Sequence, residues 1–355
     1  MESGACGPIK VLVVEDLLSM SLLLKTTLNA DPEIRVVGVA YNGREAVELA
    51  AKLKPDLITM DIHMPVMDGF EATKQIMAYH PTPILIVSAS VFSEGMELVF
   101  KAISYGALDV IEKKEMVVDK DKISGGQLIE KVKFLSRIRV VHHPLAKLEA
   151  KPGGPLRVPE MPRAKPSERI VAIAASTGGP PAIAEILKKF PKDFPCPIVL
   201  VQHIASGFEI GLASWLDHEC PVRVKVAEHS EEIRPGVVYI APCDLQMRVG
   251  ADRRICLSQE DACDGQIPSA TVLLQSVAKA YGERAIGIVL TGMGCDGAAG
   301  LKAIRDACGH TIAQDEKSCV VFGMPKAAVE IGAAADVVPL DQIAAYVIKA
   351  LIATA

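Results

Sequence analysis

The chain has 355 residues, half of them apolar but only 4% aromatic, with a formal net charge of -5 and a pI near 6.0. That length predicts two domains rather than one core, and the acidic balance lacks the basic surface that nucleic-acid or membrane-surface binding needs. No apolar run reaches membrane-spanning length and the start, "MESGACGPIK", has no secretory-signal pattern, so a cytoplasmic protein with no membrane insertion is expected.

In chain order, the first half alternates aliphatic runs with stretches of helical periodicity. "IKVLVVED", "RVVGVA", "DLITMD", "PILIVSAS" and "DVIEKK" read as strands, with helices such as "GREAVELAAKL" and "GFEATKQIMAYH" between them. Strands each followed by a helix predict an open, parallel, doubly wound sheet over residues 9–139. Residues 140–168, rich in Pro, Lys and Gly, read as a linker. A second α/β unit is predicted over 169–350, with strands at "RIVAIAAS", "PIVLVQH", "VRVKVAE", "VVYIAP", "AIGIVLTG" and "HTIAQD". Its sheet is expected to be mainly parallel, with a hairpin-like segment near 222–258. The nine cysteines are scattered and form no C-x-x-C pair, and the eight histidines form no H-E-x-x-H. They predict reduced thiols and no zinc site.

In such sheets function collects at the carboxyl ends of the strands. In the first half these ends carry Glu15 and Asp16, Asp61, Ser88 and Lys113. Converging carboxylates repel one another unless a hard cation such as Mg²⁺ sits between them. "VLVVED", "MDIHMPVMDGFEA", "PILIVSAS" and "GALDVIEKK" together resemble the receiver domain of bacterial two-component response regulators. The resemblance implies a flavodoxin-like fold and phosphorylation of Asp61 by a histidine kinase. It also implies Mg²⁺ held by Glu15, Asp16, Asp61 and the His63 carbonyl, with Lys113 and Ser88 contacting the phosphoryl oxygens. Two departures stand out: Lys114 where proline is usual, and Val110 where an aromatic is usual.

In the second half, "TGMGCDG" contains G-x-G-x-x-G between a strand and a helix, and Asp315 follows the next strand. Taken literally that is a dinucleotide-binding loop, although Asp296 would face an incoming pyrophosphate. The other strand ends offer a different chemistry. Ser176 lies on a strand-to-helix turn with Gly178 and Gly179, at a helix N-terminus expected to present free N–H groups. His203 ends the following strand. Ser176, His203 and Asp296 are a nucleophile, a base and an orienting carboxylate, as ester or amide cleavage requires.

"ASTGGP", "VQH", "YIAP", "LTGMGCDGAAG" and "TIAQDEKSCVVFGMPKAA" resemble the catalytic domain of the chemotaxis protein-glutamate methylesterases, a Rossmann-like α/β esterase that follows a receiver in that family. The resemblance implies Ser176 as nucleophile, His203 as base and acid, and Asp296 as the partner of the imidazole. Thr177 and the Met293 N–H would support the oxyanion. The implied reaction removes methyl esters from glutamates on a chemoreceptor's cytoplasmic helices, deamidates glutamines there, and needs no cofactor. Ile204 and Ala205, Thr271, Cys243 and Gln246 depart from the family pattern, and altered cleft walls are the expected result. The rival reading is a signalling adaptor whose receiver switches and whose second domain is catalytically silent.

Overall fold

The computed structural model describes residues 7–88, 93–113, 126–138, 140 and 167–352, with 93–97 as backbone only. The chain divides into two compact units, Met1–Pro152 and Gly153–Ala355. Most of the expected linker falls outside the described residues, as does Lys114 of the first unit.

The first unit is a five-stranded parallel sheet. Its strands are β1 (Ile9–Val14), β2 (Ile34–Ala40), β3 (Leu57–Met60), β4 (Ile84–Ser88) and β5 (Asp109–Glu112), in the order β2-β1-β3-β4-β5. The strand order reverses at β1, the switch point where such sheets bind ligands. Central strands covered on both faces read as continuous aliphatic runs, and Val11–Val13, Leu57, Ile58 and Ile84–Ile86 are wholly buried. The helices are α1 (Leu18–Asn29), α2 (Gly43–Leu53), α3 (Gly69–Tyr79), α4 (Ser93–Ser104) and α5 (Gly126–Leu135). Asn42 and Asp68 cap α2 and α3 by accepting the N–H of Glu45 and Glu71.

The second unit carries a seven-stranded sheet in the order β14-β13-β12-β6-β7-β9-β8, parallel at every pairing. These strands are β6 (Ile170–Ala175), β7 (Ile198–Gln202), β8 (Arg223–Val226), β9 (Val237–Ile240), β12 (Ala285–Val289), β13 (His310–Gln314) and β14 (Asp336–Val338). The expected hairpin is narrower than its predicted span. Of the strands there, β10 (Gln246–Val249) and β11 (Ile255–Ser258) pair antiparallel as a separate two-stranded sheet, extended by an antiparallel bridge between Glu232 and Arg254, whereas β8 and β9 run parallel inside the main one. Helices α6 (Gly179–Leu187), α7 (Phe208–Glu219), α8 (Ala270–Tyr281), α9 (Ala298–Asp306), α10 (Met324–Glu330) and α11 (Leu340–Ile352) complete the unit. On β6, Ile170, Ala172 and Ala174 join α8, α9 and the hairpin in one core cluster. Val171 and Ile173, also fully buried, point to the opposite face by the strand's two-residue period. Both faces are therefore covered, and only the carboxyl edge is left for chemistry.

Candidate active site and phosphoacceptor pocket

In the first unit β1 and β3 are neighbours, so Glu15, Asp16 and Asp61 emerge together at the sheet's edge. Their carboxylate oxygens lie within 4.8 Å of one another. Lys113, just past β5, reaches back over them, with Nζ 2.7 Å from Asp61 Oδ2 and 2.9 Å from Glu15 Oε1. Asp61 Oδ1 accepts the Ile62 N–H at 2.7 Å. Gly69 permits the turn after Asp61, because a Cβ there would stand 1.9 Å from the Asp61 carbonyl oxygen. Ser88 ends β4 and is fully buried.

The electrostatics describe an acidic pocket short of positive charge. Burial, reinforced by the neighbouring Asp61, raises the pKa of Glu15 despite the pull of Lys113. Burial alone would lower that of Lys113, but hydrogen bonds to Asp61 and Glu15 reverse the shift and hold it as an ammonium. Oxygen donors this close, one of them resisting ionisation, suit a hard divalent cation. Val110 is fully buried in β5, so the expected aromatic position is core here.

In the second unit β6 lies between β12 and β7, and the three chemically suspect residues follow these three strands. Strand neighbours are about 4.8 Å apart, so their end residues can meet. The Ser176 N–H donates to the Thr291 carbonyl at 3.0 Å, and the His203 N–H to the Ala175 carbonyl at 3.0 Å. His203 Nε2 is 2.8 Å from Asp296 Oδ2, with the imidazole only 10% exposed. Nδ1 is thus the ring nitrogen left to face outward.

Asp296 is the most thoroughly held group in the site. Besides His203, its carboxylate accepts the Ser269 hydroxyl and the N–H groups of Ala270, Thr271 and Gly297, at 2.7 to 2.9 Å. Ser269 is the N-cap of α8, so the carboxylate sits on that helix's positive end. Burial by itself would raise its pKa. The hydrogen bond and charge of His203, with the donors from Thr271 and Ser269, instead bring it down to about 2. Gly294 and Gly297, at φ of +82° and +87°, turn the loop inward to deliver this side chain. The glycines therefore serve Asp296.

The supposed oxyanion donors are unequally placed. Free N–H groups were expected at the start of α6, but Pro180 and Pro181 have none and the Gly179 N–H donates to the Ser176 carbonyl at 2.8 Å. The Thr177 carbonyl accepts the Thr291 hydroxyl at 2.9 Å. Met293 is 52% exposed, and among the described residues no acceptor is bonded to its N–H. It follows Gly292, where a Cβ would come 2.7 Å from that of Ser176.

Two departures prove to be support residues rather than cleft walls. Gln246 is fully buried and its Oε1 accepts the Ser269 N–H at 2.9 Å, fixing the cap that holds Asp296. Thr271, also buried, accepts the Gly297 N–H through Oγ1 at 2.8 Å and donates to Asp264 at 3.1 Å. The Cys243 thiol reaches the Ile204 carbonyl at 3.6 Å, tying down the chain after His203. Sequence reasoning missed Ser269 and Thr291. The signal for Ser269 was a serine directly before a helical stretch; nothing distinguished Thr291.

The family model for CheB methylesterase matches residues 171–347, and that for the response regulator receiver domain matches 11–123. The protein-glutamate methylesterase/protein-glutamine glutaminase 1 of Syntrophus aciditrophicus (strain SB) is 43% identical over 342 residues, covering 96% of this chain and 98% of that one. The corresponding protein of Pyrococcus horikoshii is 41% identical over 350 residues, covering 97% and 94%. The crystal structure of the Thermotoga maritima CheB methylesterase catalytic domain is 40% identical and superposes with a TM-score of 0.50, covering 52% of this chain and 98% of that one. A receiver sheet followed by an esterase sheet, matched over nearly the full length of such relatives, means that this chain belongs to the CheB family of chemotaxis methylesterases.

Proposed function

We propose that this protein hydrolyses methyl-esterified glutamate side chains, and deamidates glutamines, on the cytoplasmic helices of chemoreceptors. The receiver is assigned to 9–139 and the esterase to 169–350. The observation that carries the reading is the 2.8 Å contact of His203 with an Asp296 anchored on the start of α8, at the strand end beside Ser176. With Nε2 committed to Asp296, Nδ1 takes the Ser176 proton as Oγ attacks the ester carbonyl. The negative charge on the tetrahedral oxygen faces the Met293 N–H, with Thr177 supporting the same turn. His203 then returns the proton to the departing methoxide, methanol leaves, and Ser176 carries the acyl group. Water, deprotonated by His203, releases glutamate and restores Ser176. With a glutamine the leaving group is ammonia.

In the receiver, Asp61 accepts a phosphoryl group from a chemosensory histidine kinase, and its phosphorylation sets the esterase rate. Glu15, Asp16 and Asp61 are the residues to hold Mg²⁺, which when bound neutralises phosphoryl charge. Lys113 contributes a second positive charge, and Ser88 a hydroxyl to a phosphoryl oxygen.

The test is methanol release from methylated receptor membranes by wild type and Ser176→Ala, with and without phosphodonor. Loss of about 10³-fold or more is expected in the variant, and phosphodonor should raise the wild-type rate. No release by wild type under either condition rejects the reading in favour of a silent adaptor domain.

A further inference from the structure

Between the nucleophile and the base lies a residue that the mechanism above does not use. Gln202 is the last residue of β7, in register with Ala175 at the end of β6. It is 3% exposed. Its side-chain nitrogen donates to the Ser176 carbonyl at 2.8 Å and to the His203 carbonyl at 2.9 Å. Both partners are acceptors, so only the NH₂ end of the amide can face them. One planar group thus ties the backbone of the nucleophile to that of the base.

The other end of the amide is held at a cost. Gln202 Oε1 is buried without a partner among the described residues, an unfavourable state for a carbonyl oxygen. It lies 1.9 Å from where a Cβ on Gly179 would stand, which leaves only glycine room at the first residue of α6. An aliphatic side chain would fill that space without a stranded oxygen, so the amide is there for its donors. The strand ladder stops at Ala175 and Gln202. Beyond it, among the described residues, the His203 N–H to the Ala175 carbonyl is the one backbone bond between the two chain ends at this point. The Gln202 amide supplies two more restraints just where the reacting side chains leave the sheet.

We propose that Gln202 is a positioning residue for the esterase reaction, setting the distance and angle between the Ser176 hydroxyl and His203 Nδ1. This rests on the proposed esterase reading. Loss of the clamp should slow proton transfer from Ser176 while leaving substrate binding alone, since Gln202 is buried and its donors go to main-chain carbonyls.

The experiment uses the full chain and the variants Gln202→Met, which keeps volume without donors, and Gln202→Glu, which sets a carboxylate against the two carbonyls. Four readouts are compared with wild type: kcat and KM for methanol release, the rate of fluorophosphonate labelling at Ser176, its pH midpoint, and thermal melting. The expected result is a fall of about tenfold or more in both kcat and labelling rate, with KM within about twofold and, for the neutral Gln202→Met, the pH midpoint unmoved. A variant that melts cooperatively above the assay temperature and labels at the wild-type rate overturns the proposal. So does a rise in KM with kcat unchanged. If neither variant melts cooperatively, Gln202 is a folding residue and the proposal fails. Ser176→Ala is the labelling control: absence of label on wild type rejects the esterase reading itself, whereas equal labelling of wild type and variants rejects only the role of Gln202.

Discussion

Asp296 concentrates more hydrogen bonds than any other side chain in the site, and its behaviour with pH follows from them. Its pKa in the folded chain, about 2, lies below its ordinary value of 3.8. A depressed carboxylate stabilises the fold above the ordinary value and loses that contribution as pH falls through the folded value. The window is therefore about pH 4 down to about pH 2, and the amount is roughly 2 kcal/mol. Asp296→Asn should melt at lower temperature than wild type near neutrality, and the gap should narrow as pH drops through that window. A gap that stays constant from pH 6 to pH 2 contradicts the assignment. In catalysis the same substitution should lower kcat by roughly 10³- to 10⁴-fold with little change in KM, because an amide no longer holds the imidazole in the working tautomer. Over the working pH range Asp296 is already ionised, so it does not set the acid limb of the pH–rate profile.

At the scale of elements, the loop from β12 to α9 shows how one motif contains glycines of unequal importance. A Cβ at Gly292 would meet Met324 Sδ at 2.3 Å and Ser176 Cβ at 2.7 Å, whereas one at Gly294 meets nothing within 4 Å. Gly292→Ala should cost about 1–3 kcal/mol by overpacking and displace Ser176, with a matching fall in activity. Gly294→Ala should cost about 1–2 kcal/mol for its left-handed backbone alone and keep most activity. Paired melting and methanol-release measurements check both, and equal losses in activity would show that the contact with Ser176 does not matter.

The loop also marks how far the sequence was legible. Buried parallel strands are aliphatic throughout, so β1, β3, β4, β6, β7 and β12 stood out, and with them the residues at their ends. The three-residue β14 was too short to show a period, and of the hairpin-like segment expected near 222–258 only the general place was legible, not the four-residue strands β10 and β11. Gln202 was not recognisable as a site residue from the chain alone, and Gln246 and Ser269 showed only as a departure from the family pattern and a serine before a helical stretch, not as supports of Asp296. Each acts on groups that only the strand order brings near: Gln202 on Ser176, 26 positions away, and Ser269 on Asp296, 27 positions away. Pro180 and Pro181 were visible, yet the general expectation for a helix N-terminus masked what proline removes.

At the scale of the whole molecule, each unit has its own sheet and its own charged edge, and the two edges are in opposite electrostatic states. Asp296 is a buried acid compensated by donors, whereas Glu15 is a buried acid whose pKa is raised first by that burial and then by Asp61, with Lys113 not offsetting the two. A ligand that binds the folded state stabilises it by mass action, about 1.4 kcal/mol at ten times its dissociation constant. A divalent cation should therefore stabilise the first unit through the undercompensated edge, where the second unit offers no comparable cluster among the described residues. Amide hydrogen exchange with and without Mg²⁺ checks this. Protection should rise most at the carboxyl ends of β1 and β3, and Asp16→Asn should remove most of that rise. The same variant should leave fluorophosphonate labelling of Ser176 in the absence of phosphodonor unchanged, since Asp16 has no part in the esterase machinery. A rise spread evenly over β6, β7 and β12 as well, or one that survives Asp16→Asn, would mean that the cation acts on general surface charge and not at the pocket formed by Glu15, Asp16 and Asp61.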